Sequence, residues 1–426
     1  MFPKMGNEFV NKTYRRSPVD PVKTPSKRVY LRLDLPLILA AVILLLFGLL
    51  MVYSASADIS FYISKDRSIL SIYSIFIRQL LALMIALVAA PFVVLIDYHA
   101  WKKFILPIIG VVILLLVAVL FFGENRYGSR RGLLGGSYQP SELAKLVTVI
   151  YVAVWLDSRK ESLKDIRLGL IPLVMILALL SGFILLQPDY SAVLTIITIG
   201  AILFFLAGAD WKEILILILG VLVLGVGIVL TTQTGRTRVF GWFQGISDPT
   251  LAPYQVQRSL EAFYNGGIFG VGLGNGVTKG TGLPTPQSDS IYAIIGEELG
   301  LFGTIILIGL YLTILWRGLA ISQRAPDQLG KLLAAGMTLW IVMEAFVNMA
   351  QIVNLMPFTG NALPFISAGG SNLVVSIFAI ATILNVAIRS EENKDSKNDL
   401  FAEIVDLRRR DRRRRVSSSR RSANSL

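Results

Sequence analysis

Apolar runs of about 20 residues recur along the chain, the length an α-helix needs to cross a hydrocarbon core about 30 Å thick. They predict an all-α, polytopic membrane protein with about ten spans: 35–54, 74–96, 103–123, 141–156, 169–187, 190–207, 212–231, 290–316, 331–355 and 371–389. The polar segments between these runs test that count, because loops on the cytoplasmic side carry an excess of Lys and Arg. With both ends inside, the cytoplasmic segments are the two tails and the loops near 97–102, 157–168, 208–211 and 317–330. One of these short loops holds Arg159, Lys160, Lys164 and Arg167. The opposite loops near 188–189 and 356–370 contain no Lys or Arg. The pattern fits an N-in, C-in arrangement, and one helix more or fewer would invert half the loops. Ser-Ala-Ser-Ala (54–57) after the first run resembles a signal-peptidase site. That run and its leader are long for a signal peptide, so an uncleaved first helix is expected.

One connection stands apart. Residues 232–289 form a large extracytoplasmic loop of nearly sixty residues between spans seven and eight, rich in Gly, Pro, Gln and Ser. Loops of this length are functional or disordered. Phe240, Trp242, Phe243, Tyr254, Phe263 and Tyr264 point to one that folds against the membrane surface. The chain therefore divides into a basic tail at 1–34, a membrane domain at 35–389 and an Arg-rich tail at 390–426, both tails expected to be disordered.

Composition narrows the chemistry. Of 426 residues 54% are apolar and 16% charged, against about 25% charged in soluble domains. The chain has no cysteine and one histidine, His99, which excludes disulfides, thiolate chemistry and His-rich metal sites and leaves little room for a Ser-His-Asp triad. The net charge of +13 lies mostly in the tails, including Arg408 to Arg410 and Arg412 to Arg415. It suits anionic lipid head groups or an orientation signal better than nucleic acid, and no nucleic-acid partner is expected.

Ionisable groups within spans are costly and mark candidate sites. Glu142 and Lys145, three residues apart, form either a structural ion pair or the wall of a polar cavity. Arg78 lies near the outer end of the second span, where a snorkelling side chain is the plain reading. Glu297 and Glu298 lie about two turns into the eighth span, so one of them should face the protein interior. Glu344, Asn348 and Gln351 form a stripe at i, i+4 and i+7 that must meet other helices or water. Interhelical hydrogen bonding is its bland reading and a transport path its sharper one. On the outer face, Arg236, Arg238, Arg258 and Lys279 share the long loop, and Arg126, Arg130 and Arg131 occupy another. These cations run against the usual charge bias; they serve either an anionic substrate or local carboxylates such as Asp248 and Glu261. The Gly-dense stretch at 266–276 is a poor nucleotide site, since neither a preceding strand nor a Walker lysine accompanies it.

Several stretches together resemble a known family. They are MVYSAS (51–56), QPSELAKL (139–146), LQPDYSAVL (186–194), YQVQRSL (254–260), GGIFGVGLGNG (266–276), SDSIYAIIGEELGLFG (288–303) and NALPFISAGGSNL (361–373). In this order they resemble the SEDS proteins (shape, elongation, division and sporulation), which include FtsW, RodA and SpoVE. The tails and the Gly272-to-Lys279 pattern resemble the FtsW branch more than RodA. The resemblance implies a peptidoglycan glycosyltransferase of the bacterial cytoplasmic (inner) membrane that polymerises lipid II on its outer face, at the division septum. Its implied partners are a class B penicillin-binding protein and other membrane proteins of the division machinery. The family's essential aspartate corresponds to Asp289. Two departures bear on substrate positioning: Ser288-Asp289-Ser290 stands where the family usually has a His-Thr-Asp-Phe version, and Arg130 to Leu134 replace an Arg-Trp-Ile-like stretch.

The implied reaction matches these residues without a cofactor. Pyrophosphate is a good leaving group, so cations can replace a general acid, and an α-linked donor giving a β-1,4 product needs one inverting displacement. Asp289 is then the base that deprotonates the acceptor hydroxyl, with Arg236, Arg238, Arg258 and Lys279 as candidate pyrophosphate contacts. Glu142, Lys145, Glu297, Glu298 and Glu344 would shape the cavity. A divalent cation (Mg or Mn) bound at Asp289 is the alternative role for that carboxylate. A lipid II flippase, an elongation polymerase of the RodA kind and a division scaffold are the competing functions.

Overall fold

The computed structural model describes residues 33–63, 73–126, 129–133, 138–160, 163 and 166–394. Most of both tails, together with Lys164, lies outside the described residues. Twelve helices account for most of the rest: α1 (Leu35–Ile63), α2 (Ser74–Leu95), α3 (Trp101–Phe122), α4 (Pro140–Ser158), α5 (Ile171–Leu185), α6 (Tyr190–Leu206), α7 (Trp211–Thr231), α8 (Gln233–Ser247), α9 (Tyr254–Gly266), α10 (Ile291–Arg324), α11 (Gln328–Ile352) and α12 (Gly370–Lys394). Eight of them are long and apolar enough to cross a membrane. The shorter α6 is also apolar, and α4 carries Glu142, Lys145 and Asp157. A small antiparallel hairpin, β1 (Glu124–Arg126) and β2 (Ser129–Gly132), interrupts the expected all-helical pattern after α3.

Local chemistry sets the ends. Pro140 opens α4 at its first position, where the missing N–H has no partner to lose. The Asp189 side chain accepts from Ala192 N at the start of α6, and Asp327 accepts from Gly330 N at 2.7 Å at the start of α11. Three expected boundaries move, the first being the end of α1, which runs nine residues past 54 to Ile63. The α10 helix runs to Arg324, leaving a three-residue turn before α11, and α12 runs five residues past the expected span end. The last two extensions carry polar residues that hydropathy alone assigns to loops.

The helices sort by enclosure. Both α11 and α12 are buried over most of their length, and α4 and α6 pack beside them. By contrast α7 exposes Leu215, Ile216, Ile218, Leu219, Leu222, Val223, Leu224, Val226 and Leu230, a surface suited to lipid. The loops expected on opposite sides gather at opposite ends of the bundle. At one end, here the tail end, Tyr98 donates to Asp327 at 2.7 Å, and Asn385 donates to the carbonyls of Val93, Val94 and Ile96. Arg317 also pairs there with Asp34. Residues 139, 189, 289, 361 and 371 meet at the other, the loop end, which carries the long connection.

That connection is structured. Its helix α8 turns Gly245 and Trp242 toward the protein, where Trp242 Nε1 donates to Asn354 O at 3.1 Å, and leaves Phe240, Phe243 and Ile246 exposed. The Gly-dense segment folds back onto the start of α10, with Val271 N and Gly272 N donating to the carbonyls of Glu297 and Glu298. The approach is so close that a β-carbon on Gly270 (φ +78°) would stand 2.2 Å from Glu298 O. Gly300, at φ +67°, breaks the helical geometry of α10 there and lets Leu301 N and Phe302 N donate to Gly267 O and Ile268 O. Backbone docking, and no phosphate cradle, explains the glycines.

Candidate active site at the loop end

Asp289 sits in the turn that precedes α10, half-buried, and its backbone is held from three directions. Ala368 N donates to Gln287 O at 2.8 Å, Ser367 Oγ to Ser288 O at 2.7 Å, and Asn348 Nδ2 to Asp289 O at 3.0 Å. Three successive carbonyls are thereby fixed by the 361–370 segment and by α11. The serine that follows Asp289 has a role of its own: Ser290 Oγ donates to Pro284 O and accepts from Gln255 Nε2 at 2.6 Å. A hydroxyl with two partners thus replaces the aromatic residue usual in the resembled motif. Beside the carboxylate lies Gly360 (φ +79°), where a β-carbon would stand 3.3 Å from Asp289 Oδ2.

The stripe on α11 builds this arrangement. Gln351 Oε1 accepts from Thr359 N at 2.7 Å, Thr359 Oγ1 at 2.8 Å and Gly360 N at 3.3 Å. Asn348 Nδ2 donates a second bond to Asn361 O. Glu344, one turn further on, pairs with Lys145, which also bonds Glu142 Oε1 at 2.8 Å. Asn372 Nδ2 completes the cluster on Glu142 Oε2 at 3.1 Å. Glu142, Lys145 and Glu344 are all buried, so these three expected cavity residues do come together, as a closed ion cluster binding α4, α11 and α12. The residues of the stripe are committed to helices and loops, in line with interhelical hydrogen bonding.

A second network ties the neighbouring loops. Asp189 accepts from Gln139 Nε2 at 3.2 Å, Ser141 Oγ at 3.1 Å and Ser191 Oγ at 2.9 Å, while Gln139 N donates to Ser371 Oγ at 2.9 Å. The start of α12 is thereby fixed against the starts of α4 and α6.

Between α2 and α12 runs a groove of about 750 Å³ that reaches this network. Near the loop end its lining is polar, with Arg78, Gln79, Thr285, Gln287, Ser288 and Ser371. Deeper in the bundle it is apolar, with Ala82, Ile85, Val374, Val375 and Phe378. Gln79 holds the wall in place: its Nε2 donates to Ser367 O at 3.2 Å and its Oε1 accepts from Gly369 N at 3.0 Å. Ser288, the residue before Asp289, lines the groove.

The candidate cations divide. Arg238 Nη1 donates to Thr359 O at 3.2 Å, next to Gly360 and hence close to Asp289. Arg236, exposed on α8, bonds Leu230 O. Arg258 is held by Glu261 and by Thr281 O at 2.7 Å, the local pairing that the sequence left open. Lys279 departs most from expectation. It is buried, 2.8 Å from Glu298, and also donates to Gly274 O and Ser54. A buried lysine so occupied is a structural element of the loop. Glu297 and Glu298, of which one was expected to face inward, are both fully buried. Glu297 accepts from Val277 N, Thr278 N and Thr278 Oγ1, and Glu298 from Gly274 N and Ser54 Oγ, so together they clamp the Gly-dense segment. The side chains of Arg126, Arg130 and Arg131 lie outside the described residues. Reading Arg78 as a snorkelling side chain missed its place in the groove; its spacing from Ile75, Ala82 and Ile85 on one helical face was the available signal.

Among the described residues no three His, Asp or Glu side chains gather where they could hold a metal ion. A cation at Asp289 would have one protein carboxylate and would need its remaining ligands from substrate and water.

Comparison with known proteins gives a consistent picture. The family model FTSW_RODA_SPOVE, described as cell cycle protein, matches residues 35–392. A probable peptidoglycan glycosyltransferase FtsW of Geobacter metallireducens is 36% identical over 369 residues, covering 84% of this chain and 95% of that protein. Stage V sporulation protein E of Bacillus subtilis is 34% identical over 365 residues, covering 83% and 96%. Among solved structures, one described as coordination of polymerization and crosslinking by a peptidoglycan synthase complex aligns with a TM-score of 0.68 at 23% identity, covering 85% of this chain and 99% of that one. Rod shape determining protein RodA of Thermus thermophilus aligns at 0.61, also at 23% identity, covering 84% and 97%. At that identity the structural matches speak for the fold.

Proposed function

The chain belongs to the FtsW, RodA and SpoVE family of cell cycle proteins, and from that premise we propose that it is a peptidoglycan glycosyltransferase that polymerises lipid II into β-1,4 glycan strands. The observation that carries this reading is the place of Asp289, a half-buried carboxylate held by its backbone one residue from Ser288, which lines the polar end of a groove whose other end is apolar. Lipid II is an amphiphile whose sugars and pyrophosphate lie at the membrane surface while its polyprenol stays among lipid tails. A site for it needs this junction of a polar reaction centre and an apolar slot.

The acceptor sugar's hydroxyl oxygen attacks the donor's anomeric carbon, and the bond from that carbon to the pyrophosphate oxygen breaks with inversion. Asp289 takes the hydroxyl proton as the new glycosidic bond forms. The pyrophosphate leaves with the bonding electron pair on the polyprenyl carrier. A base gains from being fixed, and the anchored carbonyls of residues 287 to 289 hold the turn that carries this one. Arg238, through Thr359, reaches the same loop and is the long-loop cation best placed to meet developing negative charge. Were a divalent cation to bind at this site, Asp289 would be its protein ligand and the ion would supply Lewis acidity.

The loop end would face the outside of the cytoplasmic membrane, consistent with the lack of Lys and Arg at 188–189 and 356–370. Septal synthesis beside a class B penicillin-binding protein is the setting supported by similarity to proteins named FtsW and to a peptidoglycan synthase complex. Transport of lipid II is less favoured, because Glu344, Asn348 and Gln351 are engaged in holding the site. Purified protein given lipid II in membranes, alone and with its penicillin-binding partner, should yield glycan chains. If no chains form in either case, the glycosyltransferase reading is wrong.

A further inference from the structure

We propose that Arg78 grips the pyrophosphate of the lipid-linked substrate, with the polyprenyl chain laid along the groove between α2 and α12. This rests on the glycosyltransferase reading for the identity of the amphiphile and names how that amphiphile is held.

Among the described residues that line the groove, Arg78 is the single charged side chain. It forms no ion pair with a carboxylate among the described residues, and it shares its helical face with Ile75, Ala82 and Ile85. An arginine near the outer end of a span meets water, a head group or a ligand. The groove grades along its length as an amphiphile does. From Arg78 and Ser371 at the loop end it passes through Ala82 and Val374 to Ile85 and Phe378. On α2 the ten-residue step from Ile75 to Ile85 spans about 15 Å, enough for several isoprene units. The first turn of α12, Gly370 and Ser371, opens onto the polar end, so the positive end of a long helix adds to the Arg78 charge. A planar guanidinium meets two phosphate oxygens at once, which suits a pyrophosphate better than a lone hydroxyl. Ser288, at the same end, links this seat to Asp289 through one peptide bond. The pyrophosphate would then lie at the groove's mouth with its sugar toward the carboxylate.

Binding to the full-length protein in nanodiscs tests the assignment, using a fluorescent polyprenyl pyrophosphate and the neutral polyprenol as probes. Arg78→Gln should weaken the pyrophosphate probe by about tenfold or more, as expected on losing a charge-assisted contact, and leave the polyprenol unchanged. Arg78→Lys should recover part of the loss. Val375→Trp, which fills the apolar slot, should weaken both probes. Excess phosphatidylglycerol should not displace the pyrophosphate probe. Because Arg78 is exposed, the variants should keep the wild-type unfolding temperature. Wild-type affinity in Arg78→Gln would overturn the assignment, and so would displacement by phosphatidylglycerol, which would mark a general head-group site. In polymerisation assays the same variant should raise KM with kcat little changed. Polymerisation with an unaltered KM overturns this inference and leaves the reaction standing. Arg78-dependent binding without any polymerisation does the reverse.

Discussion

Asp289 is held by its peptide carbonyl, which accepts from Asn348 Nδ2. The donor that holds it, Asn348 Nδ2, also serves Asn361 O, so one buried amide sets the distance between the 285–289 turn and the segment that flanks it. Replacing Asn348 with Ala leaves two carbonyls short of a donor, at about 1–3 kcal/mol each. The expected outcome is a lower unfolding temperature together with a kcat loss larger than any change in KM; Asn348→Asp, which removes the donor and adds a charge, should be no better. Asp289 itself was legible in the sequence through its motif, and the polar stripe of α11 through its spacing. Their connection was not, because the acceptors are backbone carbonyls, which look the same at every position. Lys279 was misjudged for a related reason. A lysine in an outer loop suggests a surface charge, and nothing in the sequence reveals that the loop folds back to bury it against Glu298.

At the scale of elements, the long connection between α7 and α10 is a clamp built on the opening turns of α10. Glu297 and Glu298 accept from its backbone, and Gly270 and Gly300 permit the contact. Lys279→Ala removes one partner of a buried pair and should destabilise the protein by about 3–5 kcal/mol, visible as a fall in thermal unfolding temperature. Its effect on substrate binding in the folded fraction should be small, opposite to the pattern for Arg78→Gln. At the tail end, the turn between α2 and α3 is latched by His99, whose ring lies 2.7 Å from Asp97 and 2.9 Å from Asp327. Partial burial works to raise the Asp97 pKa, but the bonds from the His99 amide and ring outweigh it and hold the carboxyl below the ordinary range. A depressed carboxyl contributes stability above its unfolded pKa and loses it as the pH falls through the folded value. Asp97→Asn should therefore lower the unfolding temperature at neutral pH, with the gap from wild type closing in acid. Helix existence was legible here from hydropathy alone. The clamp and the latch were not, since both depend on polar contacts between segments far apart in sequence.

Across the whole molecule, polarity is concentrated in three levels. The latch and the Arg317–Asp34 pair close the tail end, the Glu142–Lys145–Glu344 cluster ties the middle, and the Asn348 and Asp189 networks shape the loop end. At the loop end Ser288, the neighbour of the half-buried Asp289, lines a groove whose other end is apolar. The sorting of loops to two sides could be read from the distribution of Lys and Arg, because charge bias acts on short segments one at a time. The groove could not, because it forms where α2, α12 and two loops meet. The most direct measurement is the rate of glycan chain formation from lipid II by the reconstituted protein, with and without a class B penicillin-binding protein, comparing wild type with Asp289→Asn at equal protein levels. Chains from the wild type, and a loss of at least about a hundredfold in the variant with lipid II binding retained, are expected for a base in the reacting centre. Chain formation by Asp289→Asn at the wild-type rate would contradict the account.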